Sequence, residues 1–288
     1  MPKMSRVTRR GALSGALAAL TVPKLAKAEH KRIATEQFEI TRTEVWMPSL
    51  DPAHDGITVA QLSDIHVGQG TPDGRIISAI RALNEQKPDL VALTGDYVTT
   101  RKDPYDRVPD LLRAIEGPTF AVLGNHDHWT DAKYLRRGLE HVGHTVLQNH
   151  HTVTRLRGVD FTIVGVDDGR TEHDDVEAAF KGAPEGGSKL VLTHLPQTAR
   201  KLPAWQGLLC LSGHTHGGQI HIPRVTSAVF ARAGYPYLRG EYAVHGNHLY
   251  VNRGLGFGKG SHLPRLGTDP ELSVFVLRSG TSKKRGTG

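Results

Sequence analysis

A chain of 288 residues is long enough to bury a substantial core, and sandwiches and α/β proteins of this size commonly form one unit. Its formal charge of +7 is unevenly placed: residues 1–28 hold six Lys/Arg and no Asp/Glu, leaving 30 basic against 29 acidic residues in the remainder. That near-neutral body, with aromatic residues at 6%, lacks the clustered cations and stacking rings of a nucleic-acid footprint, so no nucleic-acid binding is expected.

The N-terminus reads as an address. Arg9-Arg10 precede a mildly apolar run from Leu13 to Val22, and Ala26-Lys27-Ala28 forms a small-x-small cleavage pattern. Together these predict a twin-arginine signal peptide over 1–28, with the twin-arginine export machinery as partner and the periplasm or cell envelope as destination. The apolar run is too short to span a bilayer, which leaves a basic amphipathic helix or an uncleaved tether as the alternatives. Residues 29–280 are expected to form a single domain, and 281–288, with Lys283-Lys284-Arg285, a disordered basic tail. The lone Cys210 excludes an intramolecular disulfide and reads as a small buried hydrophobe.

From Phe38 to Trp46 apolar and polar residues alternate as in a half-buried edge strand. Ile57 to Leu62 predicts the next strand, and it runs directly into Ser63-Asp64-Ile65-His66. Ile76, Ile77, Ile80 and Leu83 then recur at helical spacing, and Leu90 to Leu93 is a short buried strand ending in Thr94-Gly95-Asp96. After a helix around Val108 to Ile115, the run Phe120 to Leu123 breaks at Gly124 into Asn125-His126-Asp127-His128. A third helix spans Asp131 to His141 with Asp131 as N-cap. Two short strands follow in Thr145 to Arg157, then a strand from Phe161 to Val166, a turn at Asp167-Asp168-Gly169, and a helix from Asp174 to Phe180. Leu190 to Thr193 ends at His194, and Leu208 to Leu211 ends at Ser212-Gly213-His214-Thr215-His216. Beyond Gly218 the helical period disappears, and 240–245, 248–252 and 271–277 predict strands. Alternating elements first and strands later predict an α/β fold of two packed sheets flanked by helices.

Five apolar runs therefore finish in polar, coordinating tips. In open α/β sheets ligands bind outside the carboxyl ends of the strands, so the tips should converge. They supply Asp64, His66, Asp96, Asn125, His194, His214 and His216, an oxygen and nitrogen set without a thiolate, which suits Mn, Fe or Zn. Seven ligands exceed the needs of one ordinary transition ion. Two ions sharing Asp96, with a hydroxide completing the bridge, would use them, and pairs roughly 3.5–4 Å apart clamp the attacking and leaving oxygens of a displacement at phosphorus.

At these residues the sequence resembles the calcineurin-like metallophosphoesterases, whose blocks Asp-x-His, Gly-Asp, Gly-Asn-His-Asp/Glu, a lone His and Gly-His-x-His are all present between 64 and 216. The resemblance implies a four-layer α/β/β/α sandwich, one metal on Asp64, His66, Asp96 and His216, and the other on Asp96, Asn125, His194 and His214. It also implies that His126 is a non-ligand catalytic histidine beside the scissile phosphate, with Asp127 holding its imidazole. Where many relatives carry a further Asp after Gly-Asp, this chain has Tyr97-Val98-Thr99.

The segments Gly217 to Pro223, Tyr250 to Gly256 and Pro270 to Leu272 look like the exported YkuE-like and YaeI-like phosphodiesterase branch. His221 is then either a substrate-side group or an imidazole bonded within the sheet, and Arg253 either a contact to a substrate phosphate or half of a structural ion pair. The expected activity is hydrolysis of a phosphodiester or phosphomonoester by the bridging hydroxide. One rival is a lipid-linked nucleotide pyrophosphatase resembling UDP-diacylglucosamine hydrolases, in keeping with the apolar stretch Val225 to Tyr242. The other is a non-catalytic, metal-dependent binder of the cell envelope. Peripheral contact with membrane or cell wall accompanies either reading.

Overall fold

The computed structural model describes residues 37–68, 71–257 and 265–281; the proposed signal peptide and the tail beyond Thr281 lie outside them. Each apolar run of the first half forms a strand because it is buried on both faces, and its alternate residues serve different cores. In strand β3 (Leu90–Thr94), Val91 and Leu93 pack on helices while Leu90 and Ala92 face a second sheet.

The first sheet contains β1 (Glu39–Met47), β2 (Thr58–Leu62), β3, β4 (Thr119–Val122), β5 (Thr145–Val146) and β12 (Glu271–Ser279), in the order β1-β12-β2-β3-β4-β5. The second contains β6 (His150–Leu156), β7 (Val159–Gly165), β8 (Ser188–Leu192), β9 (Leu209–Ser212), β10 (Gly240–Val244) and β11 (Asn247–Val251), ordered β10-β11-β9-β8-β7-β6. β2, β3 and β4 run parallel, as do β7, β8, β9 and β11.

Three apolar clusters separate four layers. Helices α1 (Asp73–Glu85), α2 (Val108–Leu112) and α4 (Ala132–His141) cover the outer face of the first sheet through Ile76, Ile80, Leu83, Leu112, Leu135 and Leu139. Ile77 points to solvent instead. The two sheets meet through Phe120, Val122, Phe161, Ile163, Leu190 and Leu209. The outer face of the second sheet, with Val191 and the buried Cys210, packs on Ala179 of α5 (Val176–Phe180) and on Ala199 and Leu202. Full burial of each Leu, Ile or Phe here stabilises the fold by about 1.5–3 kcal/mol. Asp131 caps α4 by accepting from the Tyr134 amide at 3.0 Å.

One feature departs from the sequence reading and one adds to it. Residues after Gly218 include a helix, α6 (Val225–Arg232), where no helical period was expected. Of its residues Thr226 alone is buried, so there is no apolar stripe directed at a core for the pattern to reveal. Strand β1 does lie at a sheet edge, but its partner is β12, more than 200 residues away, in parallel register from Glu39↔Glu271 to Met47↔Ser279.

Candidate metal and phosphoryl-transfer site

The polar tips converge because both parallel strand sets end on the same side and the loops behind them are bonded together. The loop after β2 pairs with the loop after β3 through Asp64 N–H to Gly95 O, His66 N–H to Asp96 O and Val67 N–H to Tyr97 O, at 2.7–3.0 Å. The buried Gln61 amide then ties the two sheets, donating to Ser212 O at 3.0 Å and to Thr94 Oγ1 at 2.9 Å. Gly95 and Gly124 permit the closest approach: a Cβ at Gly124 would strike the Asp96 carboxylate, and one at Gly95 would meet the Gly124 amide nitrogen. Asp64, His66, Asp96, His214 and His216 all have positive φ, from 49° to 73°. Non-glycine residues in this region cost on the order of 1–3 kcal/mol each, strain that concentrates at functional sites.

Two groups of ligand-type atoms result, Asp64 with His66 and His216, and Asp96 with His194 and His214. Within the first, His216 Nε2 lies 3.3 Å from Asp64 Oδ1 and 3.2 Å from His66 Nε2. Within the second, His194 Nε2 lies 3.2 Å from Asp96 Oδ2 and 3.2 Å from His214 Nδ1. The same Asp96 Oδ2 is 3.8 Å from His66 Nε2, so one carboxylate faces both groups.

Neighbouring carbonyls fix two of the rings. His66 Nδ1 meets Val98 O at 3.1 Å, and His194 Nδ1 meets Thr94 O at 2.8 Å. Each carbonyl takes the proton on Nδ1 and turns Nε2 inward, the orientation that metal-ligating histidines require. Thr99 Oγ1, 3.0 Å from His66 Nδ1, adds a second contact, so the segment that stands in place of the further Asp supports the ligands through its backbone and hydroxyl.

Burial holds His66 down to about 4 and His214 down to about 3, and it places His216 well below the usual range with help from His66 and Arg265. These imidazoles are neutral and can donate a lone pair. Burial opposes a charge on His194 too, yet the Asp96 carboxylate, then Asp64 and Asp168, raise it well above the ordinary value. Burial raises the Asp64 carboxyl to about 6. The set has more inward lone pairs than protons to satisfy them, and Asn125 Oδ1, fully enclosed, has no hydrogen-bond partner among the described residues. A pair of cations fits this shortage of donors.

His126 enters from the side. Its amide donates to Asp96 Oδ1 at 2.9 Å, its Nδ1 lies 2.6 Å from Thr99 O, and Nε2 has no hydrogen bond among the described residues. It lines a cleft of about 240 Å³ with Asp96, His214, His216, Gln219, Phe230 and Tyr235. Trp129 stands against its ring at 5.0 Å.

One expectation requires correction, and the alternatives left open at Arg253 and His221 narrow. Asp127 does not hold the His126 imidazole. Its carboxylate accepts the amides of Gly124, Asp96 and Tyr97, each at 2.8 Å, pinning the two loops together. Adjacent residues on a helix do not face each other, and both lie on α3 (Asn125–Thr130). Burial and the Asp96 charge push Asp127 up to about 8 against the downward pull of those amides. Arg253 is occupied by Glu271 at 2.9 Å and Glu39 at 2.7 Å, which makes it half of a structural ion network. His221 is absent from the cleft lining; its Nδ1 is buried without a partner, and its backbone amide pairs with Leu266 O.

Two residues were missed. Arg265 Nη2 lies 3.2 Å from His216 Nδ1, and Asp168 Oδ1 is buried with no partner among the described residues. Asp168 follows β7 as the ligands follow their strands, a position that could have singled it out from an ordinary turn. Nothing local marks Arg265.

Comparisons with known proteins bear on the same residues. A family model for the calcineurin-like phosphoesterases matches residues 57–218. The metallophosphoesterase YkuE of Bacillus subtilis is 32% identical over 97% of this chain and 99% of its own length. The phosphodiesterase YaeI of Escherichia coli is 34% identical over 75% of this chain and 80% of its own. The UDP-2,3-diacylglucosamine pyrophosphatase LpxG of Chlamydia trachomatis is 25% identical over 89% and 94%.

Proposed function

This chain belongs to the calcineurin-like phosphoesterase family and is a metal-dependent phosphoric ester hydrolase, and from that premise we propose that it cleaves a phosphodiester or phosphomonoester at a two-ion centre. Asp64, His66, Asp96 and His216 would hold one ion, and Asp96, Asn125, His194 and His214 the other. The observation that carries this reading is the position of Asp96 between two ligand groups, beside an Asn125 oxygen with nothing to bond. Two ions of Mn, Fe or Zn would supply a nucleophile at neutral pH and neutralise charge on the phosphoryl oxygens.

The attack is direct, by a water-derived hydroxide. Among the described residues the lining of the cleft offers no serine or cysteine, and the hydroxyl of Thr215 is committed to Leu238 O at 2.5 Å. His126, with Nδ1 held by Thr99 O, turns Nε2 to the cleft and hands a proton to the leaving oxygen or stabilises charge on the phosphoryl group. Gly124, by admitting the Asp96 carboxylate, and Asp127, by pinning the loops, keep these groups in register.

Export through the twin-arginine route to the periplasm or cell envelope, with a single domain following the signal, completes the proposal; Arg9-Arg10 support the first part, and the two sheets packed through one apolar layer among the described residues support the second. Replacing both arginines by Lys should retain a tagged precursor in the cytoplasm, and a matured double variant outside it would refute the route. A second reading, hydrolysis of a pyrophosphate in a lipid-linked nucleotide, is supported by the similarity to LpxG. The activity is tested with a chromogenic phosphodiester, a monoester and a lipid pyrophosphate under Mn, Fe and Zn. Turnover of an ester that is lost on chelation and restored by metal is expected; hydrolysis of the pyrophosphate alone would favour the second reading, and binding without turnover a non-catalytic envelope protein.

A further inference from the structure

One wall of the cleft carries a second surface. Residues 186–240 contain six Lys/Arg and no Asp/Glu, in a chain whose remaining mature part is otherwise rich in carboxylates. Within that stretch α6 supplies Phe230 to the cleft, while its outward side exposes Val225 at 56% and Val229 at 60%, one helical turn apart. Ile222 at 54% and Leu266 at 61% extend the patch, and Ile220 pairs with Leu266 beneath it. Thr226 fastens the helix from behind, its hydroxyl donating to Ile220 O at 3.1 Å and accepting from the Ile222 amide at 2.9 Å. At either end of the helix Arg224 and Arg232 are exposed and form no ion pair among the described residues. Trp129, 53% exposed, stands beside the cleft-lining His126.

A second copy of the chain is a poor occupant. It would bring Arg224 and Arg232 against cations of the same kind, and the few apolar side chains fall well short of the roughly 20–30 residues a side that stable interfaces use. A helix with apolar residues on one side and unpaired arginines at its ends matches an interface that is apolar below and negatively charged above. Among the described residues no helix is long and apolar enough to cross a membrane, so the element can lie on such a surface without spanning it.

We propose that Ile220–Arg232 docks on an anionic lipid surface and lays the cleft against it, so that the substrate class is a phosphate ester carried by a membrane lipid. The substrate part rests on the phosphoesterase reading above; the docking part does not. Ester groups at headgroup level would reach His126 between Trp129 and Phe230 while the valines enter the acyl boundary.

The test uses the full chain and vesicles of phosphatidylcholine with and without phosphatidylglycerol, measured by co-sedimentation, with hydrolysis of soluble bis(p-nitrophenyl) phosphate as reference. Binding should be roughly tenfold or more tighter when phosphatidylglycerol is present, and should fall by about tenfold or more in Val225→Glu/Val229→Glu and in Arg224→Gln/Arg232→Gln. Soluble turnover should be unchanged in both, because these side chains do not line the cleft. Any affinity of residues 1–28 for lipid is common to all variants, so the difference isolates the patch. Variants that bind vesicles like the wild type would overturn the proposal, as would soluble turnover falling in step with binding, or a dimer in light scattering that the valine variant dissolves. If lipid binding responds as expected but no phosphate ester is cleaved, docking stands and the hydrolase reading fails.

Discussion

Two buried carboxylates at strand ends, Glu271 and Asp96, show how a structural charge differs from a charge that awaits a cation. Glu271 is saturated by the protein: Oε1 accepts from Thr41 at 2.6 Å, Tyr250 at 2.5 Å and Ser273 at 3.0 Å, while Oε2 takes the Arg253 amide and Nε, both at 2.9 Å. Asp96 has an amide on one oxygen, and its other oxygen looks toward the Nε2 atoms of His66 and His194. Around it lone pairs outnumber donors, and Asn125 Oδ1 has no partner. Buried polar groups are almost always satisfied, so the first cluster is complete and the second is half of something. Burial and residue type alone would not have separated them; the hydrogen-bond accounting does.

The largest separation should come from His126. With Nε2 free and no place in either ligand group, its removal in His126→Ala should lower turnover by about a hundred- to ten-thousand-fold with metal content near normal, and least for nitrophenolate esters, whose leaving groups need little protonation. Parallel loss of metal and activity would place it among the ligands and collapse the distinction between assembly and chemistry.

Glu271 should respond in the opposite currency. Glu271→Gln leaves the half-buried Arg253 cation without its main partner, and breaking such a pair typically costs about 3–5 kcal/mol, read as a lower denaturation midpoint. Metal content and turnover of the folded fraction should persist. Burial opposes the Glu271 charge, but Arg253 and the surrounding donors lower its pKa below 4.5. Its contribution is therefore present above that value and disappears as pH falls through the lowered folded value, so the wild-type and Gln proteins should converge in stability in acid.

Asp127→Asn sharpens the comparison from a third position. An orienter of His126 would alter turnover and its pH profile at constant metal content. A staple accepting the Gly124, Asp96 and Tyr97 amides should instead weaken metal affinity, by roughly 10- to 100-fold, with the pH profile unmoved at saturating metal.

The smallest effect concerns protons. His194 and Asp64 are raised, so the metal-free site retains protons that ions must displace. Affinity should climb as pH rises, by up to about tenfold per unit for each proton released, and calorimetry in buffers of different ionisation enthalpy should register that release. Affinity independent of pH would mean the groups are already deprotonated.

Most of the site was legible because its residues obey one local rule, an apolar run followed by a ligand, and the parallel order of β2, β3, β4, β8 and β9 does the rest. What stayed hidden depends on distance along the chain or on direction in space. Arg253 finds Glu39 across 214 residues, and β1 finds β12 at the far end, neither of which a local pattern encodes. Asp127 is adjacent to His126 in sequence, but helical rotation turns it to the loops beneath. Helix α6 escaped because it buries only Thr226, so no apolar stripe directed at a core marks it in the sequence.

The measurement closest to the central claim is metal content at saturation, by elemental analysis of reloaded protein, for the wild type, His66→Ala and Asp96→Ala. A carboxylate facing two ligand groups predicts about two ions per chain in the wild type, weakening of mainly one in His66→Ala, and loss at both positions in Asp96→Ala. A wild-type stoichiometry of one, unchanged by Asp96→Ala, would contradict it.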